Sequence, residues 1–523
     1  MMKQLEVLEY LKLTKWQKFW YKVAMFFCGI PRWFAGLGKK IWNAIKKFGL
    51  AVWNNILDIG RTFKNGSWMT KVSFLIMGFG SICYGQPLRG VLFLLFEAVF
   101  IFYMCASGGY WLSKFGTLGT REPELVYDET LDAYVTIYHD NSFKILLYGL
   151  ITIVFIIAFI YTWRLNVKQC RICEEIRASG KKVKSGKDDL RSLLDDQFHK
   201  TLLALPMLGI MIFTVIPMIF MILVAFTNYN GVDADGTNKL FHWWGFEGFG
   251  KLFDFSNGTS VITLAFGEIL TWTLIWAVFA TFSNYFLGMF VAMMINRKGI
   301  HLKKVWRTIL VMTIAIPQFI SLLYVSKMFS DSGIVNGWLL KVGLIDKFKE
   351  WGWINTNYVG FWTDSKHPNL SRVMVILINI WIGIPYLMLI ATGILMNIPA
   401  DLYESAKIDG ASGWKQFSKI TLPYMLFVTG PYLLTSFTGN LNNFNVIYLL
   451  TGGTPTNTSL SGAGGSVGYT DLLITWLYKM TTGADASYYL ASIIGIMIFL
   501  VVSIISLIVY NVMPSNKNEG DFS

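Results

Sequence analysis

Two short patterns carry the polar chemistry in an otherwise apolar sequence. Asn379, Gly383 and Tyr386 recur at i, i+4 and i+7, one face of a helix, with Ile382 flanking it. Ser436, Asn440 and Asn443 repeat that spacing, with Gly439 beside them. An asparagine amide offers a donor and an acceptor together, and an aromatic face packs on the apolar side of a sugar ring. Two such stripes suit a neutral polyhydroxyl ligand. The competing use is interhelical bonding, worth about 0.6 kcal/mol per contact on average in membrane helices. Pro385 and Gly430-Pro431 lie in the same runs and can break local helix bonding, as hinges or as fixed kinks. No nucleophile–base pair or metal constellation stands out, so the chain reads as not an enzyme.

The elements that must position these stripes are membrane helices. Of the 523 residues 54% are hydrophobic and only 15% charged, and mean hydropathy is +0.48; a soluble domain carries about a quarter charged residues. Apolar runs long enough to cross a bilayer fall near 88–106, 143–163, 202–226, 262–293, 306–327, 371–393, 424–450 and 488–511. The fold class expected is all-α, a polytopic helical membrane protein of about eight transmembrane helices. Twenty Trp and 24 Tyr fit two membrane interfaces. The loop 164–201 holds Arg164, Lys168, Arg171, Lys181, Lys182, Lys184 and Lys187, and the loop near 297 holds Arg297, Lys298, Lys303, Lys304 and Arg307. Both should be cytoplasmic by the positive-inside rule. The loop 107–142, with Glu122, Glu124, Asp128, Glu129, Asp132 and Asp140, should be outside. Eight spans place both termini in the cytoplasm. The run Val72–Gly85 is apolar but short and reads as re-entrant or interfacial; the outer loop 451–487 reads as irregular.

Between the last two long hydrophobic stretches but one sits a charged insert, residues 401–423. It reads Glu404-Ser405-Ala406-Lys407-Ile408-Asp409-Gly410, then Phe417, Ile420 and Leu422-Pro423. Loop charge alone puts it inside. Its spacing, E-S-A-x3-G-x9-I-x-L-P, resembles the EAA loop of ABC importer permeases, which docks on an ATPase subunit. The residues predict a helix capped by Asp401, a left-handed turn at Gly410 and a second short helix before Leu422-Pro423 opens the next span. Glu404 can make a charge-assisted contact with a partner.

Further segments are similar to the MalF-type permease of maltose/maltodextrin ABC importers. They are Asn379-Ile380-Trp381-Ile382-Gly383-Ile384-Pro385-Tyr386, Ile398-Pro399-Ala400-Asp401-Leu402-Tyr403-Glu404, Asn442-Asn443-Phe444-Asn445-Val446-Ile447-Tyr448-Leu449-Leu450-Thr451-Gly452-Gly453 and Gly468-Tyr469-Thr470-Asp471-Leu472-Leu473. The likeness covers about 262–511. It implies the type I ABC importer permease fold and a heteromeric complex. The partners would be a second, MalG-like permease, an ATPase homodimer and an extracellular solute-binding protein. The substrate would be an oligosaccharide of maltodextrin type, lying on Asn379, Ile382, Gly383, Tyr386, Ser436, Asn440 and Asn443. Where the maltose transporter has a stacking Phe this chain has Gly439, which implies room for a longer or branched glycan. The loop 227–261 lacks the family's large extracytoplasmic domain. The resemblance also implies that this chain binds no cofactor, ATP and Mg being used by the partner ATPase, and that it lies in a bacterial cell membrane.

The chain divides into 1–71, a basic segment; 72–261, N-terminal membrane helices; 262–511, the importer domain; and 512–523, a cytoplasmic tail. Residues 1–70 hold twelve Lys/Arg against Glu6, Glu9 and Asp58, interleaved with Trp16, Phe19, Trp20, Phe26, Phe27, Trp33 and Phe34. That mixture reads as a surface anchor on membrane lipid rather than a nucleic-acid site, although net charge is +13. The start Met-Met-Lys-Gln-Leu-Glu lacks the pattern of a signal peptide. Gly180–Lys187 is rich in Gly and Lys without phosphate-loop spacing. Cys28, Cys83 and Cys105 lie in apolar contexts, and Cys170-Arg-Ile-Cys173 lacks the second ligand pair zinc requires. An ion-coupled sugar carrier would need carboxylates inside spans or a repeated fold, and no such charge stands out. A glycerol-phosphate ester would favour arginines on the two stripes, and none faces them.

Overall fold

The computed structural model describes residues 14–122, 124–128, 132–137, 139–183, 186–195, 197–230, 240–253, 260–297, 299–460, 462, 465–483 and 486–512. The N-terminal Met-Met-Lys-Gln-Leu-Glu, Glu129, Lys184, Lys298 and the tail beyond 512 lie outside them, as do the side chains of Lys187 and of the aromatic residues Trp16 to Phe34 named above.

Among the described residues, seven helices are long and apolar enough to cross a membrane: Pro87–Phe115, Ser142–Ala178, Phe198–Val224, Val261–Asn296, Pro368–Met396, Gly413–Leu441 and Tyr488–Ile508. The expected fifth span is not one helix. Lys303–Ala315 and Gln318–Met328 meet at 89°. The cause is Pro317: it lacks an N–H and pushes Ile316 into extended geometry (φ −82°, ψ 124°). The expected seventh span, 424–450, also differs. Its helix reaches back to Gly413 and stops at Leu441, and Phe444–Leu450 is a separate helix whose first turn is capped by Asn443 Oδ1 accepting from the Val446 N–H at 3.2 Å.

The chain forms two compact units, residues 1–113 with 148–211, and residues 114–147 with 212–523. In the first, Lys15–Asn65 is one helix, opened by a capping box between Thr14 and Gln17. The run Val72–Gly85 holds only the end of Trp68–Val72 and the short helix Phe79–Cys83. Its irregular backbone is satisfied from the side by Asn166, whose Nδ2 donates to Ser73 O at 2.9 Å and whose Oδ1 accepts from the Gly78 N–H at 2.9 Å. Phe100 stacks on Phe159 at 3.9 Å between ring centroids, fastening Pro87–Phe115 to Ser142–Ala178.

In the second unit, Val261–Asn296 is the central helix. It packs most extensively against Pro368–Met396 and next against Leu422–Leu441. Trp276, Met289, Met388 and Met425 are fully buried or nearly so in the clusters around it. A Cβ on Gly288 would come 2.5 Å from Leu387 Cβ, so the two backbones approach as closely as small residues permit. The loop 451–487 is more ordered than its composition suggests. It contains the helix Leu473–Thr482, and its turn is built on Asp471, which accepts from the Gly468 N–H at 2.7 Å, from Thr475 Oγ1 at 3.0 Å and from Lys479 Nζ at 2.7 Å. Burial pushes the Asp471 carboxyl up, against the pull of Lys479. A hairpin, Glu124–Asp128 with Ala133–Ile137, interrupts the helical class.

Asp140 ties the start of this unit together. Its carboxylate accepts from Lys114 and from the N–H groups of Thr120 at 3.0 Å and Arg121 at 3.2 Å. Burial alone would raise its pKa; the Lys114 ammonium and the two N–H donors override that and bring it down to about 2. A carboxyl depressed from 3.8 stabilises the fold fully above its unfolded value and loses that contribution as pH falls toward 2. Asp140→Asn should therefore cost about 2 kcal/mol at neutral pH. Thermal unfolding in detergent should show the gap to wild type closing between about pH 4 and 2; a pH-independent gap would refute the linkage.

Candidate functional site

A cavity of about 640 Å³ opens beside the central helix. Its wall collects Asn379, Ile382, Gly383 and Tyr386 from Pro368–Met396, and Ser436, Asn440 and Asn443 from the end of Leu422–Leu441 and the cap that follows. The two stripes therefore face one space. Gly439 is not brought to this wall: it is exposed on its helix, with nothing within 4 Å of where a Cβ would stand.

The sequence reading missed part of the wall. Thr313, Gln318 and Ser321 come from the two halves of the broken span, Asn284 from the central helix, and Trp381 and Tyr432 from the stripe-bearing helices. Tyr432 precedes Ser436 by one helical turn, so the 3.6-residue period could have found it. Its ring lies 6.5 Å from that of Tyr386, which is itself half exposed. The break at Pro317 was the signal for Gln318.

Several stripe residues also have structural ties. Asn440 Nδ2 donates to Thr281 Oγ1 at 3.0 Å, and its carbonyl accepts from Trp276 Nε1–H at 3.1 Å. Asn443 Nδ2 donates to Asn440 Oδ1 at 3.2 Å. Gly383 is glycine because a Cβ there would lie 2.6 Å from Asn284 Oδ1. Ile382 packs beneath the cavity on the cluster around Trp276. Asn379 and Asn284 are almost fully buried, yet Asn379 Nδ2 and Asn284 Oδ1 have no hydrogen-bond partner among the described residues. Buried amide atoms of that kind call for a partner those residues do not supply. Pro385 and Pro431 both sit inside unbroken helices.

Among the described residues no Asp, Glu, Lys or Arg lines this cavity. Carboxylates do occur inside spans, contrary to the expectation from sequence, but each is held elsewhere. Glu97 Oε2 accepts from the Met77 N–H at 2.8 Å. Glu268 lies 3.5 Å from Arg372, whose guanidinium also stacks 4.9 Å over Trp272 and donates from Nε to Tyr469 O at 2.8 Å. Cys170 and Cys173 are buried thiols outside any disulfide, Cys170 donating to Ser73 Oγ at 3.2 Å. Among the described residues no group of side chains could hold a metal ion.

The charged insert folds differently from the expected pair of helices. Its helix, Ala400–Ile408, is capped at Pro399, which places Asp401 in the first turn rather than at the cap. There its charge favours the helix N-terminus. Gly410 (φ +71°) closes the helix as foreseen: the Gly410 N–H donates to Lys407 O at 3.0 Å and the Ala411 N–H to Ala406 O at 2.8 Å. Beyond Ser412 the chain enters the span directly, without a separate second helix. A widened turn over Phe417–Thr421 accommodates the missing N–H of Pro423.

Glu404, Ser405, Asp409, Gly410 and Pro423 are exposed, while Ala406, Phe417, Ile420 and Leu422 are half-buried. Phe417 and Leu422 pack on the cluster around Met289 and Met425. Tyr403 and Thr421 hydroxyls meet at 2.9 Å, locking the helix to the foot of the span. Ile408 and Trp414 are left 87% and 75% exposed, an apolar edge on a polar loop, with the Trp414 ring 5.5 Å from that of Phe417.

These features are those of a helical membrane permease with an exposed loop fixed to its spans. The chain belongs to the family described as binding-protein-dependent transport system inner membrane component, whose model matches residues 284–516. The maltodextrin transport system permease protein MalC of Streptococcus pneumoniae is 33% identical, over 83% of this chain and 93% of its own. The galactooligosaccharides transport system permease protein GanP of Bacillus subtilis is 32% identical, over 85% and 97%. A bacterial ABC transporter involved in import of the acidic polysaccharide alginate aligns with 24% identity and a TM-score of 0.48, over 63% of this chain and 99% of that one.

Gly410→Val forces a branched side chain into left-handed geometry, at about 1–2 kcal/mol. Hydrogen exchange at the Gly410 and Ala411 amides should accelerate by roughly tenfold, whereas Gly410→Asn, which tolerates that geometry, should retain protection. Equal exchange in the two variants would show that the turn does not depend on the left-handed residue.

Proposed function

We propose that this chain is the translocation-pathway subunit of an ATP-driven importer of neutral oligosaccharides, of the α-glucan or maltodextrin type. The observation that carries the reading is the cavity wall. Amides, hydroxyls and tyrosine rings share the wall with aliphatic side chains, no charged residue is among its described lining, and two buried amide atoms beside it have no partner among the described residues. Its volume lies within the usual range for small-ligand sites, about 300–1,000 Å³. Asn379, Ser436, Asn440 and Asn443 would exchange hydrogen bonds with sugar hydroxyls. Tyr386, with Tyr432 beside it, would cover the apolar face of a ring.

In this reading a second, MalG-like permease completes the pathway, an extracellular binding protein delivers the sugar, and an ATPase homodimer supplies the energy. ATP and Mg belong to the ATPase. The surface formed by Glu404, Ser405, Asp409, Gly410 and the apolar edge at Ile408 and Trp414 would dock on it. Closure of the ATPase pair would then move the foot of Gly413–Leu441 through Phe417, Ile420 and Leu422, shifting the population toward the outward-facing state. The membrane is a bacterial cell membrane. Both termini are cytoplasmic, as are the basic loops and the docking insert. The GanP likeness supports a galactooligosaccharide as the second reading.

Both readings are separated by ATPase activity of the reconstituted complex, measured with binding protein against α-glucans and galactooligosaccharides of rising length. Stimulation by α-glucans is expected. Tyr386→Ala should lower the sugar-stimulated rate about three- to tenfold, the value of one aromatic contact, and spare the basal rate; equal loss of both would assign Tyr386 to packing. Glu404→Lys with deletion of Gly410 should abolish uptake and stimulation together. Survival of both activities in that variant is the result that removes the docking role.

A further inference from the structure

The first unit contains a second cavity, of about 730 Å³, apart from the stripe residues. Five cations line it: Arg89, Lys168, Lys181, Lys182 and Lys200. No carboxylate is among its described lining residues. Their placement is specific. Arg89 lies in the first turn of Pro87–Phe115, and Lys200 in the first turn of Phe198–Val224. Lys168 follows the apolar part of Ser142–Ala178. Two spans begin and one ends here, so all three side chains stand at one membrane boundary. Lys181 and Lys182 come from the irregular stretch beyond it.

The remaining wall is mixed: Gln86, Gln169, Ser192 and Gln197 are polar, and an apolar strip is formed by Phe93, Leu165 and Ile172. Phe93 sits one turn deeper than Arg89, and Leu165 and Ile172 lie on the face of Ser142–Ala178 that also carries Lys168. Leu165 is 42% and Ile172 38% exposed. Gln169 Nε2 donates to Gln86 Oε1 at 2.8 Å, fixing the two helices across the cavity floor.

We propose that this cavity holds the phosphate headgroup of an anionic phospholipid, with an acyl chain on Phe93, Leu165 and Ile172. The shared chemistry is a phosphate anion. A soluble phosphate would satisfy the lysines and leave the apolar strip in water. A lipid satisfies both at the depth where the phosphate plane of a bilayer lies. Basic pockets between spans are suited to such headgroups because the anionic leaflet concentrates them there.

The test uses the full transporter complex, purified in detergent and exchanged into phosphatidylcholine with an equal amount of phosphatidylglycerol. Lipid retained after washing in lipid-free detergent is counted by mass spectrometry. Wild type should keep phosphatidylglycerol over phosphatidylcholine, about one molecule per complex, and Lys168→Glu with Lys200→Glu should keep at least about fivefold less. Leu165→Ser with Ile172→Ser should also lose lipid, with the charges intact. Lys168→Gln with Lys200→Gln serves if the charge reversal prevents assembly. No preference for phosphatidylglycerol in wild type overturns the proposal. So does displacement of the lipid by inorganic phosphate with no effect of the Leu165/Ile172 change, which would make this a soluble-anion site.

Discussion

The close approach of Val261–Asn296 to Pro368–Met396 is the constraint on which the candidate site depends. Lipid gives helices no hydrophobic reason to associate, so contact must come from packing and interhelical hydrogen bonds. Gly288 lets Leu387 in, and Gly383 lets Asn284 in. Asn284 Nδ2 donates to Ala280 O at 2.8 Å, and its Oδ1, beside the cavity, has no partner among the described residues. Farther along the same seam, Asn296 Nδ2 reaches Thr392 Oγ1 at 3.3 Å. Small residues thus bring the helices together, and amides fix their register.

The third wall of the cavity comes from a failure of helix geometry. Pro317 frees backbone groups that hydrocarbon would not tolerate, but that a polar cavity and packed protein do. The same rule explains Asn166, which satisfies the irregular stretch at Ser73–Gly78 from a neighbouring helix. In both units, non-helical backbone is found where a side chain or a cavity answers its polar groups.

The charged insert has an exposed side and an anchored side. Its exposed side presents Glu404, Asp409, Ile408 and Trp414; its half-buried side, Phe417 and Leu422, is continuous with the core around Met289 and Met425. The bond between Tyr403 and Thr421 joins the two. The short helix is thus tied to the foot of the span, which residue 413 onward enters directly in place of a separate second helix.

Much of this was legible in the sequence because it depends on local chemistry. Hydrophobic run length located the spans, glycine at 410 specified the left-handed turn, and 3.6-residue spacing placed Asn379, Gly383 and Tyr386 on one face. The bend at Pro317 and the stop at Leu441 escaped because hydropathy is blind to geometry: both breaks lie in apolar runs. The partnership of Asn284 with Gly383, the arrival of Gln318 at the wall and the absence of Gly439 from it were decided only in the tertiary structure. They are set by how two backbones approach and rotate against each other, which depends on packing over whole helices and not on any one segment's residues.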